Sequence, residues 1–598
     1  MRRTFHGTKI RLGCATVLLA LAGCATTEKK PTELDRNDVA QDEGARNDSM
    51  RSETARNQTV PPRTTRNQAG QTRSADAESR TSNAIARKYA NAAIAPAALG
   101  RHADPGFNTE SYGYFVENTF LSPDSDPLST FSIDVDRASY ANVRRFIEQG
   151  SRPPMDAVRI EELINYFPYA YDEPRNGQPF AVTTELARAP WEPRHYLLRI
   201  GLQAERIATE SLPPSNLVLL IDVSGSMQSS DKLPLLKQAL GLLVDALRED
   251  DRVAMVVYAG AAGLVLPSTS GDRKDVIMHA IHALEAGGST AGGEGLRLAY
   301  RIARENFRAG GNNRVILATD GDFNVGESSD AAMIRLIEEE RGDGIFLTVL
   351  GFGTGNLKDS KMEAIADRGN GNYAYIDGLP EARKVLVHEM GGTLLAVAKD
   401  VKLQVEFNPA HVQAYRLIGY ENRLLAVQDF NDDRKDAGEL GAGHTITALY
   451  EIVPAGLESN AMIRGVDSLR YSRPAARANA ENAVSRNAGP QGANELGFVK
   501  LRYKTPSGEI SQLMSQAIAN RVAEPTIDLT FASAVASFGM ILRESEHRGS
   551  ATLDQVLALA HAGMGEDEGG YRGGFVRIVE RYRDLAIGIA STHGDPRR

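Results

Sequence analysis

Five side chains in the middle of this 598-residue chain have the types and spacing to hold a hard cation, and a sixth stands beside them. The apolar run Leu217 to Ile221 stops on an acid and passes into two hydroxyls, Asp222-x-Ser224-x-Ser226. Thr290 follows the glycine pair Gly287-Gly288 and Ser289, and a second apolar run, Val315 to Ala318, ends in Thr319-Asp320-Gly321-Asp322. Carboxylates and hydroxyls with no His or Cys among them suit Mg²⁺, Mn²⁺ or Ca²⁺ and are poor ligands for zinc. Two or three carboxylates do not neutralise such an ion while also filling six positions around it. The expected result is an ion that accepts an external carboxylate, hence a docking point. Asp322 is assigned to orienting the metal's waters.

These residues need loops brought together at one edge, and the flanking pattern supplies them. Apolar strands are predicted at Leu217 to Ile221, Val253 to Tyr258, Val315 to Ala318, Ile345 to Leu350 and Asn372 to Ile376, with a shorter one at Gly263 to Leu266. Helical spacing of apolar residues marks Leu233 to Leu247, Arg273 to Leu284, Gly293 to Asn306, Ala331 to Glu340 and Pro380 to Val397. Alternation of this kind specifies an α/β fold, a doubly wound and mostly parallel sheet, over residues 213–398. Such sheets place ligands at the carboxyl ends of their strands. On either side the period changes to two. Phe180 to Ala187 and His195 to Leu202 before the α/β domain, and Val401 to Phe407, Val412 to Ile418, Thr445 to Val453 and Gly497 to Lys504 after it, read as strands of a flanking β-rich domain. We expect the two groups to pair, so that the α/β domain is inserted into a β-sandwich. Helices are predicted at Ala138 to Gln149, with Asp134 and Asp136 capping it, at Ala157 to Tyr166, and in the tail from Phe531 onward, closing a C-terminal domain over 399–598.

The N-terminus carries a different message. Both cysteines, Cys14 and Cys24, fall in the first twenty-four residues, so no thiol site or disulfide framework exists downstream. Arg2, Arg3, Lys9 and Arg11 precede the apolar Leu12 to Ala22 and the sequence Leu21-Ala22-Gly23-Cys24. That order is a signal peptide ending at residue 24, and it resembles the lipobox of bacterial lipoproteins. The resemblance implies cleavage before Cys24, acylation of that residue and a membrane anchor through lipid; Ala25 after it implies the outer membrane. Residues 25–110 are polar and low in aromatics and cannot bury enough apolar surface to offset chain entropy, so a disordered tether is expected. Residues 111–212 form an N-terminal domain before the α/β unit. The net charge of −9 excludes a protein that grips nucleic acid through its overall charge.

Asp222-x-Ser224-x-Ser226, Thr290 and Asp320, in this order on these loops, resemble the metal-ion-dependent adhesion site of von Willebrand factor type A domains. The resemblance implies that the serines and the threonine ligate the ion, that the aspartates do so directly or through water, and that a partner's acidic residue completes the shell. Phe131-Ser132-Ile133-Asp134-Val135, Arg159-Ile160-Glu161-Glu162, Asn372 to Asp377 and Tyr415 to Asn422 are similar to bacterial lipoproteins with an N-terminal extension, a type A domain and a dedicated C-terminal domain. The expected function is non-enzymatic: an envelope protein that docks a protein partner presenting a carboxylate. One alternative is a metal-independent scaffold. Another is a phosphatase using Asp134-Val135-Asp136, but Ala138 stands where such enzymes carry Thr or Val, and no Gly-x-Ser-x-Gly elbow exists for a serine nucleophile.

Overall fold

A computed structural model describes residues 109–289, 292–321, 323, 330–389, 395–435, 437–457, 494–506 and 508–593. Cys24, the tether as far as residue 108, Thr290 and Asp322 lie outside the described residues. Thr109 and Glu110, assigned to the tether from sequence, are instead bonded to the α/β domain. Thr109 N donates to Gly355 O at 2.8 Å, and Glu110 Oε1 accepts from Gly355 N and from Arg145, both at 2.9 Å.

The chain opens with β1 (Leu128–Ser132), α1 (Ala138–Glu148), α2 (Ile160–Asn165) and the hairpin β2 (Phe180–Ala189) and β3 (Glu192–Ala204). The α/β domain follows as β4 (Ser215–Asp222), α3 (Leu233–Ala246), β5 (Arg252–Tyr258), β6 (Ala262–Ser270), α4 (Lys274–His282), α5 (Gly292–Glu305), β7 (Asn312–Thr319), α6 (Asp330–Gly342), β8 (Ile345–Phe352), α7 (Asp359–Arg368), β9 (Tyr373–Ile376) and α8 (Leu379–Arg383). Its sheet has the order β6-β5-β4-β7-β8-β9, parallel except for β6, which turns back antiparallel on β5. A strand buried on both faces reads as one apolar run, and β4 is the case in point. Leu217, Leu219 and Ile221 face the layer containing Leu236, Leu240, Ile277 and Leu386. Val218 and Leu220 face the layer containing Leu296, Ile302, Ile337 and Met362.

After the α/β domain come β10 (Ala396–Phe407), β11 (Val412–Ile418), β12 (Gly438–Gly441), β13 (Thr445–Pro454), β14 (Glu495–Lys504), β15 (Gln512–Ala519), and then α9 (Ile527–Leu542), α10 (Leu553–Ala562) and α11 (Tyr571–His593). β13 pairs antiparallel with β3, Thr447 opposite Gly201, in the sheet β11-β13-β3-β2. β10 pairs with β1 and β14 in the second sheet, β1-β10-β14-β15, and β12 adds to β10. The inner faces meet through Leu198, Ile200 and Leu202 on one side and Val401, Leu403 and Val405 on the other. Strands from before and after the α/β domain thus share a sheet, and that domain is an insertion in a β-sandwich. The three C-terminal helices pack with α1 and α2 over Trp191, which is 1% exposed. Among the described residues no helix is long and apolar enough to cross a membrane.

Two expectations are corrected, and one helix is added. The predicted helix from Pro380 to Val397 is α8 followed by a π-helical turn, Lys384–His388, and Ala396 already belongs to β10. α7 was missed because Met362, Ile365 and Ala366 are the only apolar residues that it buries. Asp136 does not cap α1: its Oδ1 accepts from Tyr373 N at 2.7 Å and its Oδ2 from Arg423 at 3.2 Å. An amide on the edge strand β9 has no sheet neighbour to bond, and the carboxylate satisfies it.

Candidate metal centre

Asp222 is the last residue of β4, and its neighbours across the sheet hold it. Oδ1 accepts from Ser224 N at 2.9 Å; Oδ2 accepts from the Tyr258 hydroxyl at 3.1 Å and from Thr319 Oγ1 at 3.3 Å. Tyr258 is its register partner on β5, and Thr319 ends β7 on the other side. Asp222 is fully buried, and burial pushes its carboxyl up to about 6; the Ser224 hydrogen bonds oppose the rise and the Asp320 charge adds to it.

The chain then makes a 3₁₀ turn, Gly225–Gln228, pinned from the side: Gly225 N donates to Gly288 O at 3.1 Å, and Gly287 N donates to Val223 O at 2.7 Å. This turn brings Ser224 Oγ and Ser226 Oγ to 3.0 Å from each other. Two adjacent ligands around Mg²⁺, each at 2.0–2.1 Å, stand about 3.0 Å apart at a right angle. The glycine pair Gly287-Gly288 is in place beside the turn, while Thr290 itself is outside the described residues.

Asp320, 1% exposed, follows β7, and the turn behind it needs a glycine. Gly321 has φ +102°, and a Cβ there would lie 2.7 Å from Asn356 O and from Lys358 N. Asp320 Oδ2 accepts from Lys232 Nζ at 2.8 Å and from Asn356 Nδ2 at 3.5 Å. The structure therefore brings together Asp222, Ser224, Ser226 and Asp320. It adds Tyr258, Thr319 and Lys232, which sequence reasoning passed over. Tyr258 and Thr319 stood at strand ends and could have been noticed there. Lys232 had no sequence signal, because a lysine ahead of an amphipathic helix is ordinarily solvated. The donor set fits a hard divalent ion: every candidate ligand is an oxygen, two hydroxyls have the right separation, and both carboxylates are buried.

A second acidic group proved to be structural. Asp136, Glu162 and Glu363 place carboxylate oxygens within 4.8 Å of one another, but Arg159 and Arg423 lie among them. Asp134 is held by the same Arg423 at 3.2 Å. The two aspartates of the phosphatase alternative are thus engaged in an ion network joining the N-terminal region, α7 and the loop after β11.

A six-stranded sheet of this order, whose central strand ends in Asp-x-Ser-x-Ser, defines a von Willebrand factor type A domain, and residues 216–385 match that family. Residues 392–585 match the family described as "Uncharacterized protein YfbK, C-terminal", and residues 106–199 match a further von Willebrand factor family. The chain belongs to the YfbK family, being 45% identical to YfbK of Escherichia coli over 494 residues, which cover 81% of this chain and 82% of that one. Inter-alpha-trypsin inhibitor heavy chain H3 of Homo sapiens is 28% identical over 214 residues, 34% of this chain and 24% of its own. Among solved structures, a von Willebrand factor type A protein from Catenulispora acidiphila is similar with a TM-score of 0.36 at 19% identity, over 67% of this chain and 90% of that one. Type A domains mediate protein interaction and adhesion and often bind a divalent ion at this strand edge.

Proposed function

We propose that the chain is a lipid-anchored envelope protein that docks a carboxylate-bearing protein through a divalent ion held by Asp222, Ser224, Ser226, Thr290 and Asp320. The observation that carries this reading is the convergence of four of these residues at one sheet edge, with the two serine oxygens 3.0 Å apart and Asp222 oriented by Tyr258 and Thr319. An ion there would draw an acidic side chain of a partner into its shell. Cys24 would carry the acyl chains, with the tether beyond it giving the domain reach and a raised local concentration at the membrane surface. Localisation in the outer membrane rests on Ala25 following the lipobox. Calorimetric titration of the purified chain with Mg²⁺ and Mn²⁺ tests the site: wild type binds, and Asp222→Ala does not. Crosslinking in intact envelopes, wild type against Asp222→Ala, then tests for a partner that depends on the ion.

A second reading has an observation of its own. Lys232 gives Asp320 a counter-charge with no ion needed, which favours a scaffold whose type A edge makes contacts unaided by metal. Absence of ion binding by wild type would select that reading.

A further inference from the structure

Lys232 is placed where it acts on the metal site directly. Its Nζ donates to Asp320 Oδ2 at 2.8 Å, and its side chain is 8% exposed. The backbone is fixed on both sides: Lys232 N donates to Ser229 O at 3.1 Å and Leu236 N donates to Lys232 O at 2.8 Å, so the residue launches α3. The aliphatic stem lies against Gly353, just past β8, where a Cβ would stand 2.2 Å from Lys232 Cγ. Gly353 has φ +70°, so its lack of a side chain and its left-handed backbone both open the channel that the stem fills. An exposed lysine forms loose surface pairs; this one is threaded through the fold to a single carboxylate.

The charge count gives the arrangement a meaning. Among the described side chains at the site, Asp222 and Asp320 carry −2 and Lys232 carries +1, leaving −1. Whatever further acids the edge holds, the lysine makes the site one unit more positive, empty or loaded. The ammonium therefore repels the divalent ion and favours an anionic ligand on the loaded site. Lysine is a compact point charge with rotatable donors, so it can share Asp320 with an ion without imposing the planar fork of an arginine.

Building on the metal-dependent docking reading, we propose that Lys232 is the specificity-determining residue of this site: a fixed internal cation that loosens the hold on the divalent ion and makes the loaded site select a carboxylate over neutral oxygen ligands. It acts through charge on the ion and on Asp320. A filler role for its stem would be served equally by an uncharged chain of the same length.

The test uses the full purified chain with Mn²⁺ and Mg²⁺ as metal probes and acetate as the carboxylate probe. Metal affinity is read by calorimetry, and acetate binding by its displacement of Mn²⁺-bound water in proton relaxation. Lys232→Met keeps the stem against Gly353 and removes the charge; Lys232→Arg keeps the charge. Lys232→Met is expected to bind Mn²⁺ about tenfold tighter or more, as loss of a +1 charge beside a +2 ion requires even with solvent screening, and its loaded form is expected to bind acetate about tenfold more weakly. Lys232→Arg, which keeps the charge but brings a planar fork to Asp320, should not show the tighter Mn²⁺ binding of Lys232→Met. Thermal unfolding without metal checks that each variant is folded, and Lys232→Gln carries the same expectation should Lys232→Met fail to fold. If wild type binds metal and folded Lys232→Met binds no more tightly, the lysine proposal is overturned while metal docking stands. If Lys232→Met binds metal and wild type does not, the lysine's action on the ion is upheld and the native site is a metal-free contact. If neither binds, both readings fall.

Discussion

Arg144 holds both carboxylate oxygens of Asp377, Nε to Oδ2 and Nη2 to Oδ1, each at 2.6 Å. The same guanidinium reaches Glu381 Oε2 at 2.7 Å, which also accepts from the Tyr166 hydroxyl at 2.7 Å. A residue of α1 thereby clamps the segment that leads from β9 into α8. The clamp ties the start of that helix to the N-terminal region. Arg144→Met leaves Asp377 and Glu381 in a buried setting without their cation and is expected to destabilise the chain by about 3 kcal/mol. Thermal unfolding reads the loss, and faster tryptic cleavage at Arg383 and Lys384 locates it.

Tyr258 and Thr319 touch no solvent-facing surface and both donate to Asp222 Oδ2. Their role is to aim that carboxylate. Tyr258→Phe and Thr319→Val should each lower Mn²⁺ affinity by about tenfold while circular dichroism and the unfolding midpoint change little. A variant that binds Mn²⁺ as well as wild type would show that Asp222 needs no such support.

Acidity has a predicted direction. Burial, with the nearby Glu421 charge, pushes Glu161 up to about 7, and burial does the same to Glu162. An unfolded glutamate titrates near 4.5. Between these values the folded chain binds more protons than the unfolded chain, so the stability these groups contribute is present below 4.5 and is lost as pH rises to 7. His444, held down to about 3 by burial, works in the opposite sense between 3 and 6.5. Glu161→Gln removes one group from the balance. Its unfolding midpoint relative to wild type should rise from pH 5 to pH 7 and level off above that, whereas a constant difference would mean that Glu161 titrates at an ordinary value.

Cys24→Ser tests the anchor independently of the metal site. The variant should lose incorporation of labelled palmitate and pass from the membrane fraction to the soluble fraction of the envelope. Retention in the membrane fraction without label would point to an uncleaved leader or a protein contact.

The candidate ligands that the fold brings together were legible in the sequence because each stands at or just after the end of an apolar run, and runs that stop in this way in an alternating α/β pattern share one sheet edge. Asp222, Ser224, Ser226 and Asp320 all follow that rule. Lys232 could not be found this way, since its burial depends on Gly353, 121 positions further along by the chain numbering. The insertion of the α/β domain into the sandwich was legible from the change of period on both sides. The boundary after α8 was not, because Leu386, Val387 and Val397 are as apolar as a continuing helix would require, and it is the pairing of Ala396 with Gly441 on β12 that marks where the strand begins. Asp136 was misjudged for a similar reason: a local cap and a distant edge amide compete for one carboxylate, and proximity in sequence does not rank them.

The type A domain joins the sandwich through two strands, β3 before it and β10 after it, and each is an interior strand of a different sheet. A pull applied by a docked partner at the Asp222 edge would therefore enter both sheets at once. The neighbours of β3 and β10 on either side would have to shear together before either connection could be drawn out. In the proposed arrangement, with a membrane anchor at one end and a partner at the other, this would divide a tensile load between two hydrogen-bonded ladders in parallel instead of concentrating it on a single linker.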